Sequence, residues 1–269
     1  GNMNGFSHQF LHWQKMKDEG KEFKPIFGVE AYFLPSIDEW RDDYDRIKED
    51  KKLAKSLAKQ GDTSGATVED EDASKKAIKS VINRRRHLVL LAQNQTGLNN
   101  LFKLISASYR EENFYRYPRV DYKMLAEHSE GVIAASACLG GPYAGNYWEN
   151  RDEGPEAVLE AMRETTRNFV EVFGDRWYGE LQWNNIPEQH ELNQYIIEVC
   201  KEFDVTLIST ADSHYPNREA WKDRELYKRL GWLGKGTPAW AEDNTELPPG
   251  VEEIGYELYP KNGNQIWES

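Results

Sequence analysis

The chain has 269 residues, enough for one large domain or two small ones, and its 39% hydrophobic and 30% charged residues are typical of globular proteins. It contains no apolar run of about 18 residues and no basic-then-apolar leader. We therefore expect no membrane segment, and the two cysteines fit a reducing cytoplasm without a disulfide framework. The net charge of −12 argues against a general nucleic-acid-binding surface, although bound metal ions can supply positive charge locally.

The first elements are a helix and a short strand that carries a carboxylate. Apolar residues at helical spacing predict a helix over 6–19, which Gly20 ends. Residues 24–32 are predicted to form a strand with Glu30 between two apolar residues. A carboxylate in such surroundings needs a partner. That partner is either a metal ion or a nearby Arg or Lys.

Residues 36–86 form a highly charged segment in which 25 of 51 residues are Asp, Glu, Lys or Arg. Its first part, around Trp40, has the apolar spacing of an amphipathic helix, and the glycines at 61–65 interrupt it. We interpret the segment as a solvated helical insertion with a mobile middle. Its basic end at 84–86 is either a contact for a phosphate backbone or a solvated loop end, and the second interpretation is preferred.

The next predicted strand, over 87–92, is followed by a turn at 94–97 and a helix over 98–108. His87 opens this strand. In β/α proteins, ligands gather at the carboxyl ends of strands. His87 therefore needs independent support as a ligand.

A further buried strand is predicted over 131–136, and Cys138 follows it directly before paired glycines. Glycine lets the backbone approach a ligand closely, so this cysteine is placed for chemistry. The alternative is a small buried hydrophobic residue, which is what most free cysteines are.

Two long helices, 155–173 and 187–203, alternate with strands over 177–182 and 205–210. Such alternation is typical of parallel β/α architecture. At least five strands are predicted in the chain, which favours a barrel.

The stretch 205–215 begins with a short β-branched run, 205–210, that we expect to be a buried strand, and Asp212 and His214 follow its end. Alternation along an extended segment points both side chains the same way, towards one ion. The alternative is a helix N-cap Asp with a surface His.

A last helix is predicted over 217–233, and 254–259 is a closing strand or a linker.

Five collinear segments resemble the PHP (polymerase and histidinol phosphatase) domain of bacterial DNA polymerase III alpha subunits. They are 24–32 (KPIFGVEAY), 87–97 (HLVLLAQNQTG), 117–121 (YPRVD), 129–141 (SEGVIAASACLGG) and 211–215 (ADSHY). The residues 180–182 and 186–189 add further matches. The resemblance covers nearly the whole chain except the insertion and the loops after 140 and 231.

The resemblance implies an α/β fold, a distorted (β/α) barrel whose mouth holds a metal cluster. Carried over residue by residue, the metal ligands are Glu30, His87, Cys138, Asp212 and His214. Carboxylates suit Mn²⁺ or Mg²⁺, whereas imidazole and thiolate favour Zn²⁺ or Fe. In family members with intact sites the metals activate a water for phosphoester cleavage, including 3′–5′ exonuclease proofreading.

Two family motifs have no counterpart in this sequence. The first is a His-x-His near the amino terminus, and the second is a Thr-Asp-His that would lie just ahead of Gly1. We therefore expect a barrel that is incomplete at its amino terminus and a partial metal cluster, completed by a partner chain or by a preceding segment. His8 and His12, one turn apart on the first helix, are interpreted as surface residues.

The preferred interpretation of the chain is that it is the amino-terminal domain of a replicative polymerase. Residues 1–233 are then a PHP-like domain, and 234–269 are a linker or the start of the next region. DNA, through the parent polymerase, and other replicase subunits are the expected partners. A non-catalytic module that docks an exonuclease or braces the polymerase is the alternative. A stand-alone small-molecule phosphatase is the third reading.

Overall fold

A computed structural model of the chain describes residues 4–59, 80–81, 83–224, 227 and 257–268. The chain divides into two compact units. The first comprises 1–136, 140–142 and 167–177, and the second comprises 137–139, 143–166 and 178–269. No helix within the described ranges is long and apolar enough to cross a membrane.

The fold is mixed α/β. In chain order its elements are α1 (Asn4–Asp18), β1 (Gly28–Phe33), α2 (Ile37–Lys59), β2 (Arg86–Ala92), α3 (Gln95–Ser108), β3 (Phe114–Tyr115), β4 (Tyr117–Pro118), α4 (Tyr122–Glu127), β5 (Val132–Ala135), α5 (Pro142–Asn150), α6 (Pro155–Phe173), β6 (Trp177–Leu181), α7 (Pro187–Glu202), β7 (Thr206–Ser209) and α8 (Gly263–Glu268). Five strands form one sheet in the order β1-β2-β5-β6-β7, and β3 pairs with β4. The α/β expectation is confirmed at this level.

The strands of the first unit pair antiparallel, which differs from the parallel arrangement expected from the sequence. β1 and β2 pair with Tyr32 opposite His87, and β2 and β5 pair with Val89 opposite Ala135. The start of an antiparallel strand lies beside the ends of its neighbours. His87, near the start of β2, therefore lies beside the ends of both β1 and β5.

In the second unit β6 and β7 pair parallel, as the alternation of strands and helices predicts. The expectation that β7 is buried is wrong, because three of its four residues are exposed and only Ile208 is half-buried. β7 is the outermost strand of the sheet. A β-branched run fits such a strand as well as a central one, since strand preference reflects packing against neighbours.

Two polar side chains set the starts of helices next to the sheet. The Asn94 side chain accepts a hydrogen bond from the Gly97 amide and caps α3, and the Asp121 side chain accepts one from the Met124 amide and caps α4. Each satisfies an amide that the first helical turn leaves unpaired. The predicted turn at 94–97 is thus the capped start of α3.

The charged segment begins as the predicted amphipathic helix, and its apolar face is packed rather than solvated. Trp40 on α2 is 3% exposed and lies in a cluster with Leu34, Ile37 and Val81. Its indole Nε1 donates to the Val81 carbonyl oxygen at 2.8 Å. The glycines at 61–65 lie outside the described residues.

The end of the chain packs against the turn after β7 without forming the predicted strand in its described part, 257–259. The amides of His214 and Tyr215 both donate to the Leu258 carbonyl oxygen, at 2.7 and 3.2 Å. The Leu258 amide donates to the Tyr215 hydroxyl at 3.0 Å. Of the predicted helix over 217–233, the structure describes a 3₁₀ turn at Arg218–Ala220 and helical residues 221–224.

Candidate metal centre

Glu30 and His87 lie side by side on one face of the β1–β2 pair. The His87 Nδ1 atom is 2.6 Å from the Glu30 carboxylate, and the two side chains are 36% and 50% exposed. The carboxylate on β1 is thus half exposed rather than buried, and an imidazole lies beside it. The pair is half open to solvent, so a small ion has a route to it.

Cys138 lies close to this pair. The Cys138 sulfur, a His87 ring nitrogen and a Glu30 carboxylate oxygen are all within 4.8 Å of one another. Local connectivity accounts for this closeness, because the carbonyl oxygen of Gly140, two residues after Cys138, accepts the His87 amide at 2.8 Å. Three sequence-predicted site residues therefore converge.

The chemistry of these donors fits a divalent transition metal. One thiolate and one imidazole favour Zn²⁺ or Fe, and a carboxylate also suits Mn²⁺. The short Glu30–His87 contact is a hydrogen bond, and it holds these two candidate metal ligands together in the absence of an ion. Because ligand atoms must be deprotonated to coordinate, an ion would replace that shared proton.

Asp212 and His214 belong to the second unit and lie next to each other on the turn after β7. The His214 Nδ1 atom is 2.6 Å from the Asp212 carbonyl oxygen and 3.9 Å from its carboxylate. A carbonyl oxygen only accepts hydrogen bonds, so Nδ1 carries the proton and Nε2 has the lone pair for a ligand. The N-cap alternative does not hold for Asp212, since Asn217 caps the following 3₁₀ turn.

Glu180 is a site residue to which sequence reasoning gave no role. It lies on β6 and is 4% exposed. Burial raises the pKa of its carboxyl, while hydrogen bonds from Thr210 and Gln182 act in the opposite direction. The available signal was a carboxylate inside the apolar strand pattern of 177–181, the same signal that drew attention to Glu30.

Arg85 directly precedes β2 and lies against two tyrosines, Tyr32 on β1 and Tyr117 on β4, to which sequence reasoning gave no role. The Arg85 guanidinium is 4.0 Å from the ring centre of Tyr117 and 5.0 Å from that of Tyr32. The Tyr32 ring is 5.6 Å from the His87 ring. Burial, with the charge of Arg85, lowers the pKa of Arg119 to about 10, so two cationic groups are close together.

Comparison with known proteins identifies relatives of the chain. The family model described as the PHP domain matches residues 1–184. DNA polymerase III subunit alpha of Aquifex aeolicus is 36% identical over 219 residues, which cover 81% of this chain and 15% of that protein. The proteins of the same name from Borreliella burgdorferi and Campylobacter jejuni are 34% and 31% identical, over 77% and 95% of this chain. This chain spans 14% and 17% of those two relatives.

Proposed function

The chain belongs to the PHP domain family, and from that premise we propose that it is the metal-dependent phosphoesterase-type domain of a DNA polymerase III alpha-like replicase. The proposed reaction is hydrolysis of a phosphodiester at a 3′ end, the chemistry of exonuclease proofreading. DNA and other replicase subunits are the proposed partners, and the cytoplasm is the proposed location. The proposed domain covers residues 1–233, and 234–269 is proposed to be a linker or the start of the next region of the parent protein.

The convergence of Glu30, His87 and Cys138 carries this proposal. Three donors of different chemical hardness within 4.8 Å of one another suit a Zn, Mn or Fe ion, and the carboxylate also suits Mg²⁺. Asp212, with its carboxylate, and His214, through Nε2, are the further proposed ligands, on a distorted barrel of the PHP type. Bound divalent ions would supply the Lewis acid that activates a water and stabilises an in-line displacement at phosphorus.

Arg85 supports a nucleic acid rather than a small phosphate ester as the substrate. Its guanidinium stacks on the rings of Tyr32 and Tyr117, next to His87. An arginine held by aromatic rings offers donors to a phosphate oxygen, and exposed ring faces stack on bases. A local patch of this kind is compatible with the acidic net charge, because only the reacting end of the strand contacts it.

A non-catalytic replicase module is the second candidate, and one observation favours it. The Glu30 carboxylate and the His87 ring satisfy each other at 2.6 Å. A pair of this kind can hold β1 to β2 without any ion. Metal content and nuclease activity separate the two candidates.

The test is the metal content of the protein purified without chelator, with hydrolysis of a 3′-labelled single strand after Zn²⁺, Mn²⁺ or Fe²⁺ is supplied. We expect stoichiometric metal in the parent and its loss in Cys138→Ala and Asp212→Ala, with cleavage when the partner chain or preceding segment that completes the cluster is supplied. Cys200→Ala, which removes a buried thiol elsewhere, is the matched control. A folded protein that binds no metal and cleaves nothing under any of these conditions would establish the module instead.

Single-strand binding provides the second arm of the test. We expect Arg85→Gln to weaken binding of a short oligonucleotide and to reduce the salt dependence by about one phosphate contact. Arg84→Gln is the control, because the Arg84 guanidinium is already paired with Asp43 at 2.7 Å. Equal binding by both variants would remove Arg85 from the proposed substrate site.

A further inference from the structure

We propose that Glu180 is a positioning residue that holds two turns of the second unit, the turn at Cys138 and the turn at Asp212, in the conformations that present their side chains to a metal. The inference rests on the proposed function in so far as those side chains are ligands. It gives Glu180 a role distinct from coordination.

The two carboxylate oxygens of Glu180 reach both turns. Oε2 accepts a hydrogen bond from the Ala137 amide at 3.1 Å, and Ala137 directly precedes Cys138. Oε1 accepts one from the Thr210 hydroxyl, and Thr210 lies two residues before Asp212. These bonds span 43 and 30 residues of sequence, so one side chain on β6 joins two distant segments.

Both turns have backbone conformations that need such support. Ala137 has φ 60° and Asp212 has φ 44°, in the left-handed region that residues with a Cβ rarely occupy. Such conformations persist only where the surroundings fix them, and they concentrate at functional sites. Glu180 bonds directly to the amide of the first strained residue and to the hydroxyl two residues before the second.

Gln182 shows how strongly the local structure favours the Glu180 contacts. Its Nε2 donates to Glu180 Oε1 at 3.2 Å and to Thr210 Oγ1 at 3.4 Å. Its own Oε1 is buried and has no hydrogen-bond partner within the part of the chain that the structure describes. Leaving a buried acceptor unpaired is unfavourable. The side-chain amide of Gln182 is thus oriented so that its NH₂ group donates to the Glu180 carboxylate, although this leaves its own carbonyl oxygen unpaired.

The same bonds argue against Glu180 as a ligand. Each of its oxygens already accepts at least one hydrogen bond, from a backbone amide on one side and from a hydroxyl and an amide on the other. Coordination through either oxygen would compete with the contacts that hold the turns. Residues behind the ligands commonly orient them in this way, and their removal lowers metal affinity by about 10–100-fold.

The experiment compares Glu180→Gln and Thr210→Val with Thr166→Val, all in a Cys200→Ala background. Thr166 is a matched control, because its buried hydroxyl lies in the same unit and bonds to Tyr143 on α5 at 2.8 Å and to the Met162 carbonyl oxygen on α6 at 2.7 Å. The first readout is a Co²⁺ titration followed by the cobalt–thiolate charge-transfer absorption. The second is the rate at which Cys138 reacts with a thiol reagent in the metal-free protein.

We expect Glu180→Gln and Thr210→Val to weaken Co²⁺ binding by about 10–100-fold and to change the Cys138 labelling rate severalfold. Thr166→Val is expected to lower thermal stability without either effect, and Thr210→Ser, which keeps the hydroxyl, to restore both. Folded Glu180→Gln and Thr210→Val variants that bind Co²⁺ and label like the parent would overturn the inference. A parent that binds no Co²⁺ contradicts the proposed function, and the labelling rates then decide the role of Glu180.

Discussion

Replacing Gly97 by Ala tests the packing that places α3 against the start of β5. A Cβ on Gly97 would lie 1.8 Å from the carbonyl oxygen of Gly131 and 2.5 Å from its carbonyl carbon, whereas real Cβ contacts essentially never fall below 3.0 Å. Both atoms are backbone, so no side chain can rotate away. Gly131 itself has φ +67°, and the Asn94 cap lies against it, so the turn has little room to retreat.

The magnitude follows from two opposing effects. Forcing a methyl group into a well-packed interior destabilises by about 1–3 kcal/mol, and a clash with rigid backbone belongs at the upper end of that range or above it. Ala instead of Gly inside a helix stabilises by about 1 kcal/mol. We therefore expect Gly97→Ala to lower the free energy of unfolding by at least about 2 kcal/mol.

Gly5→Ala is the control, because Gly5 lies in α1 and a Cβ there meets nothing within 4 Å. That variant should gain up to about 1 kcal/mol from helix propensity alone. Urea denaturation of the two variants and the parent measures the difference. A Gly97→Ala protein as stable as Gly5→Ala would refute the backbone contact between α3 and the turn before β5.

Two further predictions concern the core and the thiols. Trp40→Ala should lower the free energy of unfolding by about 3–5 kcal/mol, because it removes a buried ring together with its hydrogen bond to the Val81 carbonyl oxygen. Urea denaturation measures this loss, and a value below about 1 kcal/mol would contradict the packing of α2. Cys200 should resist alkylation at pH 8 until the protein unfolds, since burial raises the pKa of its thiol to about 12. The half-buried Cys138 should be alkylated in the folded protein. Mass spectrometry of the labelled peptides shows which cysteine reacts first, and alkylation of Cys200 before Cys138 would contradict the prediction.

The sequence was sufficient to predict where most strands and helices lie, because apolar periodicity is local. The direction in which β1, β2 and β5 pair was not predictable in this way. Residues 34–85 lie between β1 and β2, and a connection of that length allows either direction, unlike a tight hairpin or a single crossover helix. Antiparallel pairing also removes the objection to His87, whose position at the start of β2 is beside the end of β5.

Burial of β7 was predicted wrongly for a related reason. The residues Thr206 to Ser209 have the β-branched and aliphatic character of a strand, but exposure depends on how many neighbours a strand has. β7 is at the end of the sheet order. That Asp212 and His214 face one ion stays a prediction. The two residues lie next to each other, but on a turn in which Asp212 has φ 44° and not on the extended segment from which their common direction was predicted.

The roles of Glu180 and Arg85 could not be assigned from sequence because they depend on distant contacts. The partners of Glu180 are 43 and 30 residues away, and Arg85 stacks on rings that come from β1 and β4. Periodicity and motif spacing describe only neighbours in the chain. A charged residue in an apolar strand is the local sign that such a distant contact exists. This criterion drew attention to Glu30 but was not used for Glu180.

The burial of Glu180 also bears on the choice between a hydrolytic domain and a non-catalytic module. Replacing buried ionic groups with apolar residues of similar volume is often neutral or stabilising, so stability alone gives little reason for a carboxylate at this position on β6. The carboxylate bonds to the segments of Cys138 and Asp212, which carry proposed ligands and have strained backbones. A fold that only needed to be stable would have no use for strain at those two positions. The proposed presentation of ligands to a metal would account for both the strain and the buried group that supports it.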